Sequence, residues 1–358
     1  MDDVRSKIIG NPSSIDHSFG QNSKEIFDEA LESVCDVLNI TRDEFVLTSG
    51  ATEANNLAVL GVAAKLRNGR RKRVLMGPLE HSSVSALVYP LENYFGFTTE
   101  VVPCLDTGVI NMSALSEMLD HDVAMVTISA VSGVCGTVQP LSEISELVRS
   151  VGACFHSDAT QALYNFTGDR LTELCDMYSI SGHKIGGPNG VGGLVIDSAW
   201  LNQIDPIIWG GGQQAGLRSG TLPVELMVGF SAAIVQLGSA QSQHDNGAQL
   251  LWNQLSNTYE ARLVGPLPGL VDRHPANLLV IIPNFDFDLW QHRTKGKFAV
   301  SRGSACQASK GATSELRRLN ISVCSHESFI RIGLPQRSGR DDISSFVASI
   351  ALGMDVSS

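Results

Sequence analysis

Residues 45–56 read FVLTSGATEANN, and this stretch joins a strand, a turn and a helix. Its apolar start, Phe45-Val46-Leu47, predicts a short buried strand. Three small residues, Thr48-Ser49-Gly50, follow as a turn, and the segment Glu53–Arg67 has a helical pattern. The open backbone N–H groups at such a helix start form an anion site, although a small polar helix cap is the commoner use of this pattern.

The same alternation of short apolar runs and helical segments continues along most of the chain. It predicts an α/β fold in which helices cover a mostly parallel sheet. The further predicted strands are 73–76, 99–103, 123–129, 153–157 and 194–196, and the further predicted helices are 25–38, 84–94, 113–119 and 141–151.

The pattern changes after residue 261. Prolines punctuate the stretch from 266 to 283, and a strand is predicted at Leu278–Ile282. We therefore predict a large domain at 12–261 and a smaller C-terminal α+β domain at 262–358, with residues 1–11 associated with the small domain.

Composition limits the classes of function. The chain of 358 residues has a formal net charge of −11 and 43% hydrophobic residues. This acidic balance argues against direct nucleic-acid binding, and no apolar run is long enough to cross a membrane. The seven cysteines are scattered without a CxxC pair. Neither a disulfide framework nor a metal site is predicted, and a reducing cytoplasm fits best.

Three polar segments are candidates for chemistry. Asp158 follows the predicted strand 153–157, and a carboxylate at the carboxyl end of a parallel strand serves either to hold a proton on a ring nitrogen or to cap a helix. Lys184 lies among serine, histidine and glycines, which suits attack on an aldehyde, while a surface lysine in a glycine-rich turn is the plain alternative. Cys306 ends the segment SRGSAC, a loop of small residues that favours an accessible thiol over a core cysteine.

Five motifs in this order resemble one known family, the NifS/IscS-type cysteine desulfurases. The resemblance extends from Gly10 to about Arg331 and implies a class V, fold type I enzyme that uses pyridoxal 5′-phosphate (PLP). The motifs are TSGATEANN (48–56), HSDATQA (156–162), SGHKIGGPNGVG (181–192), GGGQQAGLRSGTLP (210–223) and SRGSAC (301–306).

The resemblance implies roles around the cofactor ring. Lys184 would form the internal aldimine with PLP, and Asp158 would pair with the pyridine nitrogen, which keeps the ring an electron sink. Gln161 would hydrogen-bond the phenolic oxygen. His81 would stack on the ring and assist proton transfer.

A second set of implied roles concerns the cofactor phosphate. Thr52, Ser181 and His183 would hold it, with Ala51 also in the cofactor site. Thr221 would join them from the partner subunit of a homodimer.

The remaining implied roles concern the substrate, L-cysteine. Arg331 would clamp its carboxylate, a task that suits a guanidinium group. Cys306 would attack the sulfur of the cysteine–cofactor adduct, which leaves alanine and a Cys306 persulfide for a separate acceptor protein. The sequence leaves several acceptor classes open: an iron–sulfur scaffold, tRNA thiolation, DNA sulfur modification and cofactor biosynthesis.

Two departures from the family pattern keep other functions open. Residues 131–136 read VSGVCG where the family has an Asn-Asn-Glu stretch, so Ser132 would replace an asparagine contact. The family's DNAATTP-like loop is missing before Gly10, through truncation, a later start or reshaping. A cysteine or selenocysteine lyase and an aminotransferase of the same fold would need Lys184 but not Cys306, and a non-catalytic scaffold or regulatory homologue would need neither.

Overall fold

The computed structural model describes residues 10–240, 247–269, 273–302, 313–324, 327–334 and 339–354. Within these ranges the chain forms two compact units. The first contains residues 10–102, 112–130 and 140–240. The second contains residues 103–111, 131–139 and the described residues from 247 onward.

The first unit is built on a seven-stranded sheet. Its strands are β1 (Phe45–Thr48), β2 (Arg73–Met76), β3 (Thr98–Val101), β4 (Val123–Thr127), β5 (Cys154–Asp158), β6 (Met177–Ser181) and β7 (Gly192–Ile196). Their order across the sheet is β1-β7-β6-β5-β4-β2-β3. β7 runs antiparallel to both of its neighbours, β1 and β6, and all the other pairs are parallel. Strands β1 to β6 therefore present their carboxyl ends at one edge.

Helices surround this sheet. They are α1 (Ser18–Leu38), α2 (Ala51–Leu66), α3 (Ser82–Ser85), α4 (Val88–Tyr94), α5 (Met112–Met118), α6 (Leu141–Ser150), α7 (Gly168–Leu174) and α8 (Val224–Ala240). The central one is α2, whose small and apolar residues are buried on most sides in the main core cluster. A helix that is apolar nearly all round lies inside a protein, and α2 therefore holds its first turn in a fixed place against the sheet.

The second unit has a three-stranded antiparallel sheet in the order β10-β9-β8. Its strands are β8 (Arg262–Val264), β9 (Asn277–Pro283) and β10 (Glu327–Gly333), and its helices are α9 (Gly247–Tyr259), α10 (Phe287–Thr294), α11 (Thr313–Arg318) and α12 (Arg340–Ile350). Trp290 is the centre of its core, stacks at 6.3 Å on Phe298 and donates from its indole N–H to Ser349 Oγ at 3.1 Å. No helix in the described ranges is long and apolar enough to span a bilayer.

The predicted α/β class with a mainly parallel sheet is confirmed. The structure also has a smaller α+β unit towards the C-terminus. The boundary predicted between residues 261 and 262 falls inside this unit, because α9 buries Ala248, Leu251 and Leu255 in the core of the second unit. Cys35, Cys154 and Cys175 are buried core residues.

Two of the elements that differ from the sequence prediction are the helix at 84–94 and strand β6. The predicted helix 84–94 is two helices, α3 and α4, with Ala86 and Leu87 between them. Strand β6 was not predicted, because its sequence MYSIS alternates with serines that are typical of exposed positions. Ser179 and Ser181 are nevertheless 0% and 2% exposed, since the strand is central in the sheet.

Candidate active site

Asp158 ends β5 and is almost fully buried, with 4% of its surface exposed. Its Oδ1 accepts hydrogen bonds from the backbone N–H and the hydroxyl of Thr160, at 3.0 and 2.7 Å. Its Oδ2 accepts one from the side-chain amide of Asn55 at 2.8 Å. A carboxylate offers about four acceptor positions, so these donors fix its orientation and leave room for one more. Three donors thus fix the carboxylate, and one of its acceptor positions is not used by them.

His156 supports Asp158 without adding a charge. It lies two residues earlier on β5, on the same face of the strand. Its Nδ1 is 2.8 Å from Thr127 Oγ1, and its Nε2 is 3.1 Å from Ser179 Oγ. Burial lowers the pKa of His156 to about 4, although the charge of Asp158 acts in the opposite direction. The ring is therefore neutral at pH 7.

The end of β6 carries three of the predicted residues. Ser181 closes the strand, and the chain turns at once into a 3₁₀ helix, Gly182–Lys184. Ser181 Oγ lies 2.9 Å from His183 Nδ1. Burial and the neighbouring charge of Lys184 lower the pKa of His183. The side chain of Lys184 is exposed, and its amine is accessible to a ligand.

The start of α2 lies beside Ser181. Gly50 caps this helix with a φ of +143°, a conformation that favours glycine. A Cβ atom on Gly50 would lie 3.9 Å from Ser181 Oγ, so the helix start and this hydroxyl face each other. Ala51 is half-buried and Thr52 is exposed in the first turn. Open N–H groups, the helix dipole and a hydroxyl together form an anion site.

Glu53 lies in the same turn, and its charge is neutralised within the protein. Its carboxylate accepts from the backbone N–H of Ser49 at 2.8 Å and pairs with Arg218 at 2.6 Å. Burial acts to raise the pKa of Glu53, but the hydrogen bonds from Arg218 and Ser49 outweigh it and hold that pKa below its usual value. Because Glu53 is paired with Arg218, its charge does not repel an anion at the helix start.

The glycine-rich segment 210–221 is attached to the edge of the sheet. The side chain of Gln214 accepts from the backbone N–H of Leu47 at 2.6 Å and donates to its carbonyl at 3.0 Å. This pairing covers the outer edge of β1. Thr221, at the end of the segment, is exposed.

His81 and Glu80 lie in the loop between β2 and α3. His81 is exposed and caps α3, and its Nδ1 accepts from the backbone N–H of Ser83 at 3.1 Å. Glu80 is buried, and its two oxygens accept from the N–H and the hydroxyl of Ser129, each at 2.7 Å. Burial raises the pKa of Glu80 to about 7, against the effect of the Ser129 hydrogen bonds. These bonds fix the His81 loop to the residues that follow β4.

Gln161 is half-buried and follows Asp158 by three positions. The first unit thus carries nine predicted site residues, all of them on turns and helix starts at the carboxyl ends of strands or on the segment attached to β1. They are Ala51, Thr52, His81, Asp158, Gln161, Ser181, His183, Lys184 and Thr221.

The second unit carries Ser132 and Arg331. Ser132 is 3% exposed, and its hydroxyl oxygen accepts from the backbone N–H groups of Val134 and Cys135 at 3.2 and 3.4 Å. Its side chain therefore caps its own turn. Arg331 lies on β10, and its Nη1 donates to the carbonyl of Gly133 at 3.2 Å. One guanidinium edge is thus held by the same 131–136 segment.

Cys306 lies outside the described residues, so its predicted role stays a prediction. In the part of the chain that the structure describes, no cluster of three or more histidine, cysteine, aspartate or glutamate residues could hold a metal ion.

Sequence reasoning missed the residues that support Asp158 and His81. Asn55 and Thr160 were present in the quoted motifs, but nothing in the amino-acid sequence showed that their side chains donate hydrogen bonds to Asp158. Ser83 and Glu80 flank His81. A polar residue in the otherwise apolar face of α2 was the one signal that could have found Asn55.

Comparison with known proteins places the chain in a family. A family model described as aminotransferase class-V matches residues 1–346. The chain belongs to the class V aminotransferase family. It is 33% identical over 350 residues to the cysteine desulfurase IscS of Rickettsia akari, which covers 97% of this chain and 85% of that protein. It is 34% identical to the mitochondrial cysteine desulfurase of Drosophila melanogaster, over 91% of this chain and 71% of that protein.

Solved structures agree with the class V assignment. A NifS-like protein superposes with a TM-score of 0.85 at 28% identity, over 98% of this chain and 94% of that chain. A structure of SspA in complex with cysteine superposes with a TM-score of 0.79 at 28% identity, over 94% and 93%. The resemblance to NifS/IscS-type cysteine desulfurases is therefore confirmed.

The described residues fit PLP, the cofactor on which this class V family depends. The buried carboxylate of Asp158 has an acceptor position for a ring N–H, and the start of α2 with Ser181 offers donors to a phosphate. Lys184 supplies an exposed amine for an aldehyde. The donor set thus matches three separate groups of the cofactor.

Proposed function

We propose that this protein is a PLP-dependent cysteine desulfurase that converts L-cysteine to L-alanine and a persulfide on Cys306. The observation that carries the proposal is the carboxylate of Asp158, held by three donors with one acceptor position left at the end of β5, on the same sheet edge as Lys184. The similarity to cysteine desulfurases over nearly the whole chain supports the same reaction.

PLP, when bound, supplies an electron sink, and residues of this chain would hold it. Lys184 would bind its aldehyde and Asp158 would keep a proton on its ring nitrogen. Gln161 would donate to its phenolic oxygen. Ser181 and His183, beside the start of α2, would hold its phosphate.

The substrate and the sulfur would be handled by other residues. Arg331 would hold the carboxylate of L-cysteine, and Ser132 would replace the family's asparagine contact to the substrate. His81 would stack on the cofactor ring and move a proton. The thiolate of Cys306 would take the sulfur atom, since an accessible and ionised thiol is the nucleophile such a transfer needs.

The proposal extends to assembly and location. The protein would act as a homodimer in the cytoplasm, with Thr221 of each subunit completing the phosphate site of the other. The Cys306 persulfide would pass to a separate acceptor protein. Sulfur transfer between proteins needs an accessible carrier loop, and the segment SRGSAC, which consists mostly of small residues, is predicted to be such a loop.

The experiment that tests this function is a product assay with PLP-loaded protein. L-Cysteine should give L-alanine together with an equal amount of protein-bound sulfur. A lyase or aminotransferase would instead release its product without loading a protein thiol. Protein that binds PLP and forms no alanine from L-cysteine would contradict the proposed function.

A further inference from the structure

Asn55 connects Asp158 to the residues around His81. It lies on α2 with none of its surface exposed. Its Nδ2 donates to Asp158 Oδ2 and to Ser83 Oγ, each at 2.8 Å. Both N–H groups of the amide are therefore used. The reverse orientation would point the amide oxygen at a carboxylate, so the amide has only one acceptable orientation.

The backbone N–H of Ser83 determines the direction of the next hydrogen bond. It donates to His81 Nδ1 at 3.1 Å and makes this nitrogen an acceptor. Ser83 Oγ, which accepts from Asn55, therefore donates its own proton to that nitrogen at 2.8 Å. A ring nitrogen with two donors carries no proton, so neutral His81 holds its proton on Nε2.

We propose that Asn55 is a positioning residue that orients the carboxylate of Asp158 and, through Ser83, the ring of His81. The inference rests on the proposed function, because these two residues are assigned to the ring nitrogen and the ring face of one cofactor. Proton transfer by His81 then takes place at Nε2, since protonation of Nδ1 would break two hydrogen bonds.

The unsatisfied atom of Asn55 supports a positioning role over a purely structural one. Asn55 Oδ1 is buried with no hydrogen-bond partner among the described residues. A buried acceptor without a partner destabilises the folded state, so the carbonyl half of the Asn55 amide contributes nothing to stability. The asparagine is therefore explained by its two donors.

The test compares three variants loaded with PLP: Asn55→Leu, Ser83→Ala and the matched control Asn56→Ala. Asn56 is the next residue on α2, and its amide donates to two backbone carbonyls of the described chain, those of Thr52 and Ser83. One readout is the ¹⁵N chemical shift of His81 Nδ1, which a His81→Gln spectrum assigns among the nine histidines. The other is the pH midpoint of the absorbance change of the bound cofactor.

The two readouts should separate the two hydrogen bonds of Asn55. Ser83→Ala should move the Nδ1 signal of His81 and leave the absorbance midpoint in place, because the bond from Asn55 to Asp158 remains. Asn55→Leu should move both, with the midpoint displaced to higher pH, because a misoriented Asp158 holds less proton on the ring nitrogen. Asn56→Ala should move neither.

Several results would overturn the proposal. A proton on Nδ1 of wild-type His81 would do so, as would an Asn55→Leu protein that matches the wild type in both readouts. If Asn55→Leu does not fold, an unchanged Nδ1 signal in Ser83→Ala contradicts the link to His81. Neither readout needs turnover of cysteine, so a protein that binds PLP but makes no alanine would remove the proposed function and leave this inference intact.

Discussion

At the scale of single residues, burial sets the charge of two side chains that flank Asp158. His156 and Glu80 both lie within electrostatic reach of that carboxylate. Burial lowers the pKa of His156 to about 4 and raises that of Glu80 to about 7. Both shifts favour the neutral form, so His156 is neutral at pH 7 and Glu80 is protonated at pH values below 7.

The raised pKa of Glu80 predicts a pH-dependent stability. Its pKa rises from 4.5 to about 7 on folding, so its contribution is complete below pH 4.5 and is lost as the pH rises through 7. Glu80→Gln keeps an acceptor for the N–H of Ser129 and cannot ionise. We compare the free energy of unfolding of the variant with that of the wild type at each pH. This difference should shift in favour of the variant by about 1–3 kcal/mol between pH 4.5 and pH 8.

Chemical denaturation across this pH range measures the effect. Glu146→Gln, at an exposed glutamate of α6, is the matched control and should show no such trend. A constant difference between Glu80→Gln and wild type from pH 4.5 to 8 would show that Glu80 does not carry the proton.

Lys184 supplies the most direct test of cofactor attachment. Lys184→Ala should lose the absorbance band of the lysine-bound cofactor, because no other lysine lies in a matching segment. Lys65→Ala, at an exposed lysine on α2, should keep it. An unaltered band in Lys184→Ala would rule out the assignment of this lysine.

At the scale of elements, the anion site depends on close contact between β7 and the start of α2. A Cβ atom on Gly192 would lie 2.5 Å from the carbonyl oxygen of Ile180 and 2.8 Å from the Cα of Gly50. Backbone atoms at these distances must move. The start of α2 can thus lie this close to β7 because Gly192 has no side chain.

Gly192→Ala should therefore reduce both stability and phosphate recognition. We expect a loss of about 1–3 kcal/mol in free energy of unfolding and a larger loss of affinity for PLP than for pyridoxal, which lacks the phosphate. Gly333→Ala, at a strand glycine on β10 with no atom within 4 Å of an added Cβ, is the control. Equal behaviour of the two variants in denaturation and ligand titration would contradict this account.

The elements also show what the sequence could predict. Strands β2 and β4 were predictable because each is a largely apolar, buried run followed by a helix. β6 was missed because serines are typical of exposed positions, whereas neighbouring strands bury the serines of β6. The contact between Asn55 and Asp158 joins residues 103 positions apart. Periodicity alone cannot show which side chain of a fully buried helix meets the end of a given strand.

The sequence prediction was most successful where a motif occupies one turn. Ser181 ends β6, and His183 and Lys184 lie on the 3₁₀ helix that follows at once, as their spacing requires. Arg331 and Ser132 lie in a different compact unit. Their predicted roles depend on the spatial arrangement of residues that are far apart in the sequence, which no local pattern encodes.

At the scale of the whole molecule, the proposed homodimer predicts shared sites. Trp209, next to the segment 210–221, is 77% exposed in the single chain, and exposed tryptophan is typical of subunit interfaces. We expect a particle of twice 38.3 kDa in light scattering. A monomer that binds PLP tightly and turns over cysteine would contradict the proposal.

Mixed dimers test the exchange of Thr221 between subunits. Lys184→Ala and Thr221→Ala are each expected to be defective, the second through weaker PLP binding. A mixed dimer of the two should contain one intact site, formed by Lys184 of one subunit and Thr221 of the other. Mixing should therefore restore activity at low PLP concentration. Activity that stays at the average of the two parents would show that each site uses its own Thr221.

The central claim is that the sulfur of L-cysteine moves to Cys306, and one experiment tests it directly. PLP-loaded wild-type protein, Cys306→Ser and the control Cys324→Ser, at an exposed cysteine, receive L-cysteine, and alanine and protein-bound sulfur are measured by mass spectrometry. We predict equal amounts of alanine and a Cys306 persulfide in the wild type and the control. The Cys306→Ser variant should keep its cofactor absorbance and form neither product. Alanine and sulfide formed by Cys306→Ser at the wild-type rate would contradict the account.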